Sequence, residues 1–264
     1  TDPTIAFVLG GSYAQQGKSD HALPLLEEAY ASDTTNMTFA RTLSGAYIEA
    51  GRTQDALRIN ERLAAADPED DDVRYRLIQL YARTGELKKG IELATQLQKR
   101  FRPMPSAYGQ LTKLKIQLLT LSKDSVAVER EYHTWADLYP DDRRPYYDWI
   151  LHLLETGGIE VAERQLTTDT RRGRISLGDA TALRVHKYIF LKDYAAAEAE
   201  LVRLTPDRKI GADEKLTLWL LLTKAAQGSE GYTAGKYTPH IADLLREYPD
   251  DLQVLKTYAQ LLRY

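Results

Sequence analysis

The chain has 264 residues, 43% of them hydrophobic and 28% charged, and its 35 basic and 38 acidic side chains leave a net charge of −3. That balance offers no general electrostatic reason to bind nucleic acid or an anionic membrane surface. The absence of cysteine excludes a disulfide scaffold, a cysteine nucleophile and a thiolate metal site, and leaves the compartment open.

Thr1 rather than Met opens the chain, which is expected of a processed or excised polypeptide. No basic region precedes the short apolar stretch Ile5 to Leu9, so it does not read as a signal peptide. From there the sequence repeats itself. Tyr13, Tyr47 and Tyr81 stand 34 residues apart, and so do Gly17, Gly51 and Gly85. Ala22, Ala56 and Gly90 keep the same spacing. Three columns holding one period over three copies define a unit of helix, short turn, helix. The glycines fall where each first helix must end, and a left-handed residue is cheapest as glycine. Ala22 and Ala56 fall early in each second helix, where a larger side chain would push the two helices apart. Pro68, Pro140 and Pro249 each follow a second helix and are trailed by acidic residues. In Asp67-Pro68-Glu69-Asp70-Asp71-Asp72 the proline stops one helix and the aspartates cap the next.

Beyond residue 104 the pattern loosens. A fourth unit is predicted over 105–140, with Leu111, Leu114 and Leu118 on its first helix and Val128, Tyr132 and Trp135 on its second. The two fit the repeat in registers one residue apart, which calls for a small insertion near Lys123. A fifth unit covers 141–176, marked by Tyr146, Trp149, Gly157 and Ala162. A sixth covers 177–207, with Tyr188 and an alanine-rich helix from Tyr194 to Leu204. The seventh has helices at 212–227 and 238–247, joined by a Gly/Tyr-rich connection over 228–237 that reads as a flexible linker or a recognition element. A lone helix closes the chain, with Leu252, Leu255, Tyr258, Ala259 and Leu262 as its apolar stripe and Val254 and Leu261 widening it. That face is expected either to cap the array or to pack on another surface or a continuation of the chain. The most apolar stretch, 216–222, is far shorter than the ~20 residues a spanning helix needs.

Leu9-Gly10-Gly11-Ser12-Tyr13 matches the Leu-Gly-x-x-Tyr core of the tetratricopeptide repeat, and Ala22-x-x-x-Leu26 follows where that family has Ala-x-x-x-Phe. The chain therefore resembles a tetratricopeptide repeat array, specifically over 3–104 and at the level of pattern over 105–264. The resemblance implies an all-α, right-handed superhelical solenoid of antiparallel helix pairs. It would run as a single array over 1–264: clear repeats at 3–104, divergent repeats at 105–249 and a terminal helix at 250–264, about seven repeats plus that helix. It also implies a concave groove lined by the first helix of each pair. The family's groove positions fall here on Phe7, Gly11 and Gln15, then on Arg41, Gly45 and Glu49. They continue on Tyr75, Arg76, Gln79 and Arg83, and on Tyr147, Asp148 and Leu151. Arg41, Tyr75, Arg76, Gln79, Arg83 and Tyr147 are the residues expected to contact a partner. Arginine forks onto carboxylates and tyrosine adds contact area at low entropy cost. The carboxylate clamp of the family's chaperone co-factors is not expected: Asn36 and Asn60 miss its positions, which hold Gly45, Arg76 and Gln79.

Catalytic signatures are missing. His21, His133, His152, His186 and His240 form no pair at helical spacing and no His-Glu-x-x-His, so no metal site is expected. Residues 69–72 lack the glycine and distal glutamate of a calcium loop. Neither a dinucleotide fingerprint, a phosphate loop nor a Gly-x-Ser-x-Gly elbow occurs. Arg171-Arg172-Gly173-Arg174 is the one compact basic patch, read as a solvated loop between repeats with a phosphate or an acidic partner as the alternative.

The expectation is a noncatalytic scaffold, without cofactor, that binds a protein or peptide in the groove. No nucleic acid and no direct membrane insertion are expected, and the oligomeric state is left open. The alternatives are the substrate-recruiting region of a larger enzyme and a bacterial envelope assembly or export factor. The periplasm or cell envelope and the cytoplasm remain the candidate compartments.

Overall fold

The computed structural model describes residues 2–204, 210–230, 232–233 and 235–261. Among them are fifteen α-helices and no strand, seven helix pairs and a final helix, as the period predicts. They form two compact units, residues 1–139 and 140–264. The first unit contains α1 (Pro3–Gln15), α2 (Ser19–Ser32), α3 (Met37–Glu49), α4 (Thr53–Ala66), α5 (Asp71–Thr84), α6 (Leu87–Arg100), α7 (Pro105–Leu121) and α8 (Ser125–Leu138). The second contains α9 (Arg144–Glu155), α10 (Ile159–Arg171), α11 (Leu177–Phe190), α12 (Tyr194–Leu204), α13 (Ala212–Ala226), α14 (Thr238–Glu247) and α15 (Leu252–Leu261). Within each unit successive helices pack on one another, and odd-numbered helices also touch, as α5 touches α7 and α11 touches both α9 and α13.

One turn geometry recurs. Gly17, Gly51, Gly85 and Gly157 have φ between +71° and +86°, and Lys123 and Lys192 take the same left-handed position at +61° and +58°. Each lies two residues before the next helix. After Gly17, Gly51, Lys123, Gly157 and Lys192 the next amide bonds back to the carbonyl five residues before it, as from Arg52 to Tyr47 at 2.8 Å and from Asp124 to Leu119 at 3.0 Å. This is the Schellman arrangement, which satisfies the orphan carbonyls at a helix end. Lys123 follows Gly85 by 38 residues rather than 34 because α7 has 17 residues where α3 has 13 and α5 has 14. The insertion expected near Lys123 is thus about one extra turn of α7. Replacing Lys123 by glycine relieves a left-handed strain of about 1–2 kcal/mol and costs glycine's extra entropy of about 0.5–1 kcal/mol. Guanidinium melts are expected to show Lys123→Gly modestly stabilised and Gly51→Ala destabilised, the opposite sign at the same backbone position.

The tyrosine column does more than fill space. The Tyr47 hydroxyl donates to Glu27 on the preceding pair at 2.8 Å, and Arg52 joins that carboxylate at 2.8 Å while lying over the Tyr47 ring. Tyr81, Glu61 and Lys89 repeat the arrangement one period later. Burial first, and the glutamate second, push both phenols up to about 12, so they remain donors. Thirty-four residues after Tyr81 stands Lys115, buried against Glu131 on α8 and Gln98 on α6. The column keeps its polar link in the fourth pair: Lys115 on the first helix donates as Tyr81 does, and the accepting carboxylate has moved to the second helix of its own pair.

Two expectations change. The 228–237 connection is anchored: Tyr237 is buried beside Trp219, and Lys236 pairs with Glu198 at 3.1 Å. Gly231 and Ala234 lie outside the described residues. Its aromatic side chains belong to the core of the second unit, which glycine content alone could not reveal. In α15 the buried contacts come from Val254 and partly from Tyr258, while Leu252, Leu255 and Ala259 are exposed. Val254 and Tyr258 are one helical turn apart and define the packed stripe. Leu261 and Leu262 fall where side chains are not described.

Candidate functional site

The expected contact residues divide between the two units. On the first, Phe7 and Phe39 bring their rings to 4.8 Å, continuing one surface from α1 to α3. Arg41 is engaged internally: its guanidinium pairs with Asp70, the residue that caps α5 by accepting from the Val73 amide at 3.0 Å. That amide, aided by Arg41, holds the Asp70 carboxyl below the usual carboxylate range. Arg41 therefore ties α3 to the start of α5, a positioning role that sequence reasoning did not anticipate. Tyr75 borders a cleft of about 350 Å³ between α5 and α7, with Leu97, Phe101 and Leu111 as its apolar walls and Asp71 and Asp72 at its edge. Arg76, Gln79 and Arg83 follow one another at helical spacing along α5; Gln79 and Arg83 are exposed and Arg76 is half-buried. Among the described residues no ion pair engages Arg76 or Arg83.

Tyr147 belongs to the second unit and lines a separate cleft of about 540 Å³ with residues of α11 and α13. Ala182, Leu218 and Leu221 supply its apolar surface, and Asp179, Asp213 and Glu214 its charge. Burial pushes the Tyr147 phenol up to about 12, and Asp179, Asp148 and Glu214 add to the shift. Burial, with Asp179 next, also raises the Glu214 carboxyl. Gly178 leaves room for that carboxylate: a Cβ there would stand 2.6 Å from Glu214 Oε1. Sequence reasoning found Tyr147 and missed Asp179 and Glu214, which lie about a repeat or more away along the chain.

The raised Glu214 pKa fixes the sign of a pH effect. A carboxyl whose folded pKa lies above its unfolded value stabilises the fold fully only below the unfolded pKa, and that contribution is lost as pH rises through the folded one. Glu214→Gln is therefore expected to raise the melting temperature at pH 7. Melts repeated down to about pH 4, near the ordinary glutamate pKa, should show the advantage disappear.

The basic patch resolves into unlike residues. Arg171 and Arg172 are exposed, whereas Arg174 reaches back to Asp169 at 3.2 Å and lies over the Tyr146 ring. Asp169 is completely buried and also accepts from Gln165 at 2.7 Å. Among the described residues no cluster of His, Asp or Glu is arranged to hold a metal ion, and no helix is long and apolar enough to cross a membrane.

These features define a class: all-α antiparallel helix pairs with a recurring left-handed turn between the two helices of a pair. The tetratricopeptide repeat model matches residues 13–69 and 47–114, so this stretch of the first unit carries tetratricopeptide repeats. Repeats of this kind form protein-interaction scaffolds. Among solved structures, a tetratricopeptide repeat protein from Parabacteroides merdae ATCC 43184 superimposes with a TM-score of 0.51 at 14% identity, over 99% of each chain. PilW, a type IV pilus biogenesis factor, gives 0.46 at 14% identity, over 82% of this chain and 97% of its own. A thermophilic repeat protein from Thermus thermophilus gives 0.27 at 17% identity, over 99% of this chain and all of its own. At 14% identity the likeness to the Parabacteroides merdae protein concerns the fold alone. No curated protein matches the sequence.

Proposed function

We propose that the chain is a noncatalytic scaffold that holds a peptide or a partner's surface on the first-helix faces of its repeats. Arg41, Tyr75, Arg76, Gln79, Arg83 and Tyr147 are the residues assigned to it. The observation that carries the reading is the cleft beside Tyr75, on the helix that also carries Arg76 and Arg83, two arginines that no ion pair of the described residues engages. An apolar recess on the same helix as these guanidinium groups suits a segment that pairs an apolar anchor with a carboxylate.

The test is affinity capture with cross-linking from the source cells, comparing the natural chain with Tyr75→Ala/Arg76→Ala/Arg83→Ala. Arg41 is left intact in this variant, because its loss would disturb the α5 cap. Partners cross-linked to the natural chain should be lost from a variant whose circular dichroism is unchanged. Equal capture by both chains would overturn the assignment of the first unit's face.

A further inference from the structure

The cleft of the second unit is lined by acidic side chains beside an apolar floor. Leu218 and Leu221 on α13 and the Tyr147 ring on α9 make an apolar recess, and Asp179, Asp213 and Glu214 open onto it. No lysine or arginine lines it. The nearby cations point elsewhere: Lys187 pairs with Glu163 on α10, and Lys215 reaches Tyr248 and Glu247 at the end of α14. His186, the remaining titratable group of the lining, is held below its ordinary pKa by burial and supplies no compensating charge at neutral pH. Burial first, and Asp179 next, raise both the Glu214 carboxyl and the Tyr147 phenol. A volume of about 540 Å³ lies within the range of binding recesses and holds more than one side chain.

We propose that this cleft docks a basic peptide segment, a lysine or arginine reaching Asp179, Asp213 and Glu214 while a neighbouring aliphatic side chain lies on Leu218 and Leu221 against Tyr147. The proposal rests on the reading that first-helix faces hold partners, and it assigns the second unit a ligand of opposite charge to the first. Charge complementarity selects the occupant: an acidic segment would add to the repulsion already present, and a purely apolar one would bury the carboxylates without a partner.

The test uses the full chain and a fluorescein-labelled Lys-Leu-Lys-Leu-Lys-Leu peptide, followed by fluorescence anisotropy, with the Glu-for-Lys peptide as its counterpart. Saturable binding of the lysine peptide is expected, weakening as salt is raised from about 0.05 to 0.3 M. Asp213→Asn/Glu214→Gln should weaken it about tenfold. Thr217→Lys, which places a cation at an exposed position of the lining, should do the same. Tyr75→Ala/Arg76→Ala should leave it unchanged. No binding of the lysine peptide, equal binding of the glutamate peptide, or unchanged affinity in both cleft variants would overturn the proposal. So would loss of binding in the Tyr75/Arg76 variant alone, which would put the basic segment on the first unit. Dimerisation abolished by Thr217→Lys, without peptide binding, would give the cleft to a second copy of the chain. Any of these results can stand beside cross-linked partners that depend on Tyr75, Arg76 and Arg83, so the two readings fail separately.

Discussion

Trp219→Ala is expected to cost about 4 kcal/mol, the range for emptying a buried tryptophan site. Trp219 is fully buried in α13 and stacks on His240 of α14, ring centres 4.4 Å apart and planes within 8°. Tyr237, itself 1% exposed, leans on the same indole at 5.9 Å. One side chain thus fastens both α14 and the connection leading into it to α13. Alanine would leave a cavity whose walls are ring faces, and the helices could close on it only by pulling that connection out of register. Against a total stability of order 5–15 kcal/mol for a folded domain, such a loss approaches the unfolding threshold of the second unit. Guanidinium melts followed at 222 nm should show an early transition. Limited trypsinolysis should show new cleavage after Lys236, whose pairing with Glu198 depends on that register. A melt superimposable on the natural chain would show that the stack contributes nothing.

Arg174→Ala is expected to cost about 3 kcal/mol, the lower end of what removing one partner of a buried ion pair costs. Asp169 has no solvent exposure, so without the guanidinium its charge keeps only the Gln165 amide among its side-chain partners. Arg174 side-chain exposure of 40% places the pair at the edge of the unit, which is why the lower end applies. Arg174→Met keeps the stem packed over Tyr146 and should be nearly as destabilising as alanine if charge is the cause. Asp169→Asn/Arg174→Met removes both charges and should recover most of the loss. A double variant no more stable than Arg174→Met would assign the effect to packing.

The 34-residue period, the glycine turns and the small residues of each second helix were legible because each is a local requirement. A left-handed turn favours glycine whatever surrounds it, and an amphipathic stripe shows its own spacing. Lys123 and Lys192 show where this ends: they occupy the glycine position without being glycine, and only the repeat spacing hinted at the first. Pairings between helices are another matter. In the first pair Gly10 faces Leu26, and a Cβ on Gly10 would stand 2.9 Å from Leu26 Cγ. One period later the same two positions hold Ser44 and Asn60, both fully buried and hydrogen-bonded to each other. In the third they hold Ile78 and Ala94, in one cluster. Bulk moves from one helix to the other while the space between them stays filled, so neither column alone looks constant.

The candidate site divides the same way. Tyr75, Arg76, Gln79 and Arg83 could be read as one face of one helix. Nothing in the sequence near Arg41 announced Asp70, nor did the basic patch announce that Arg174 answers a buried Asp169. Tyr147, Asp179 and Glu214 meet only because α9, α11 and α13 lie side by side. Helix number, length and ends were determined by the sequence itself, since propensity, capping and periodicity act over a few residues. Which charges are neutralised, which are left facing a cleft and which aromatic rings hold a connection in place were decided by tertiary packing, because they depend on distances between residues far apart along the chain.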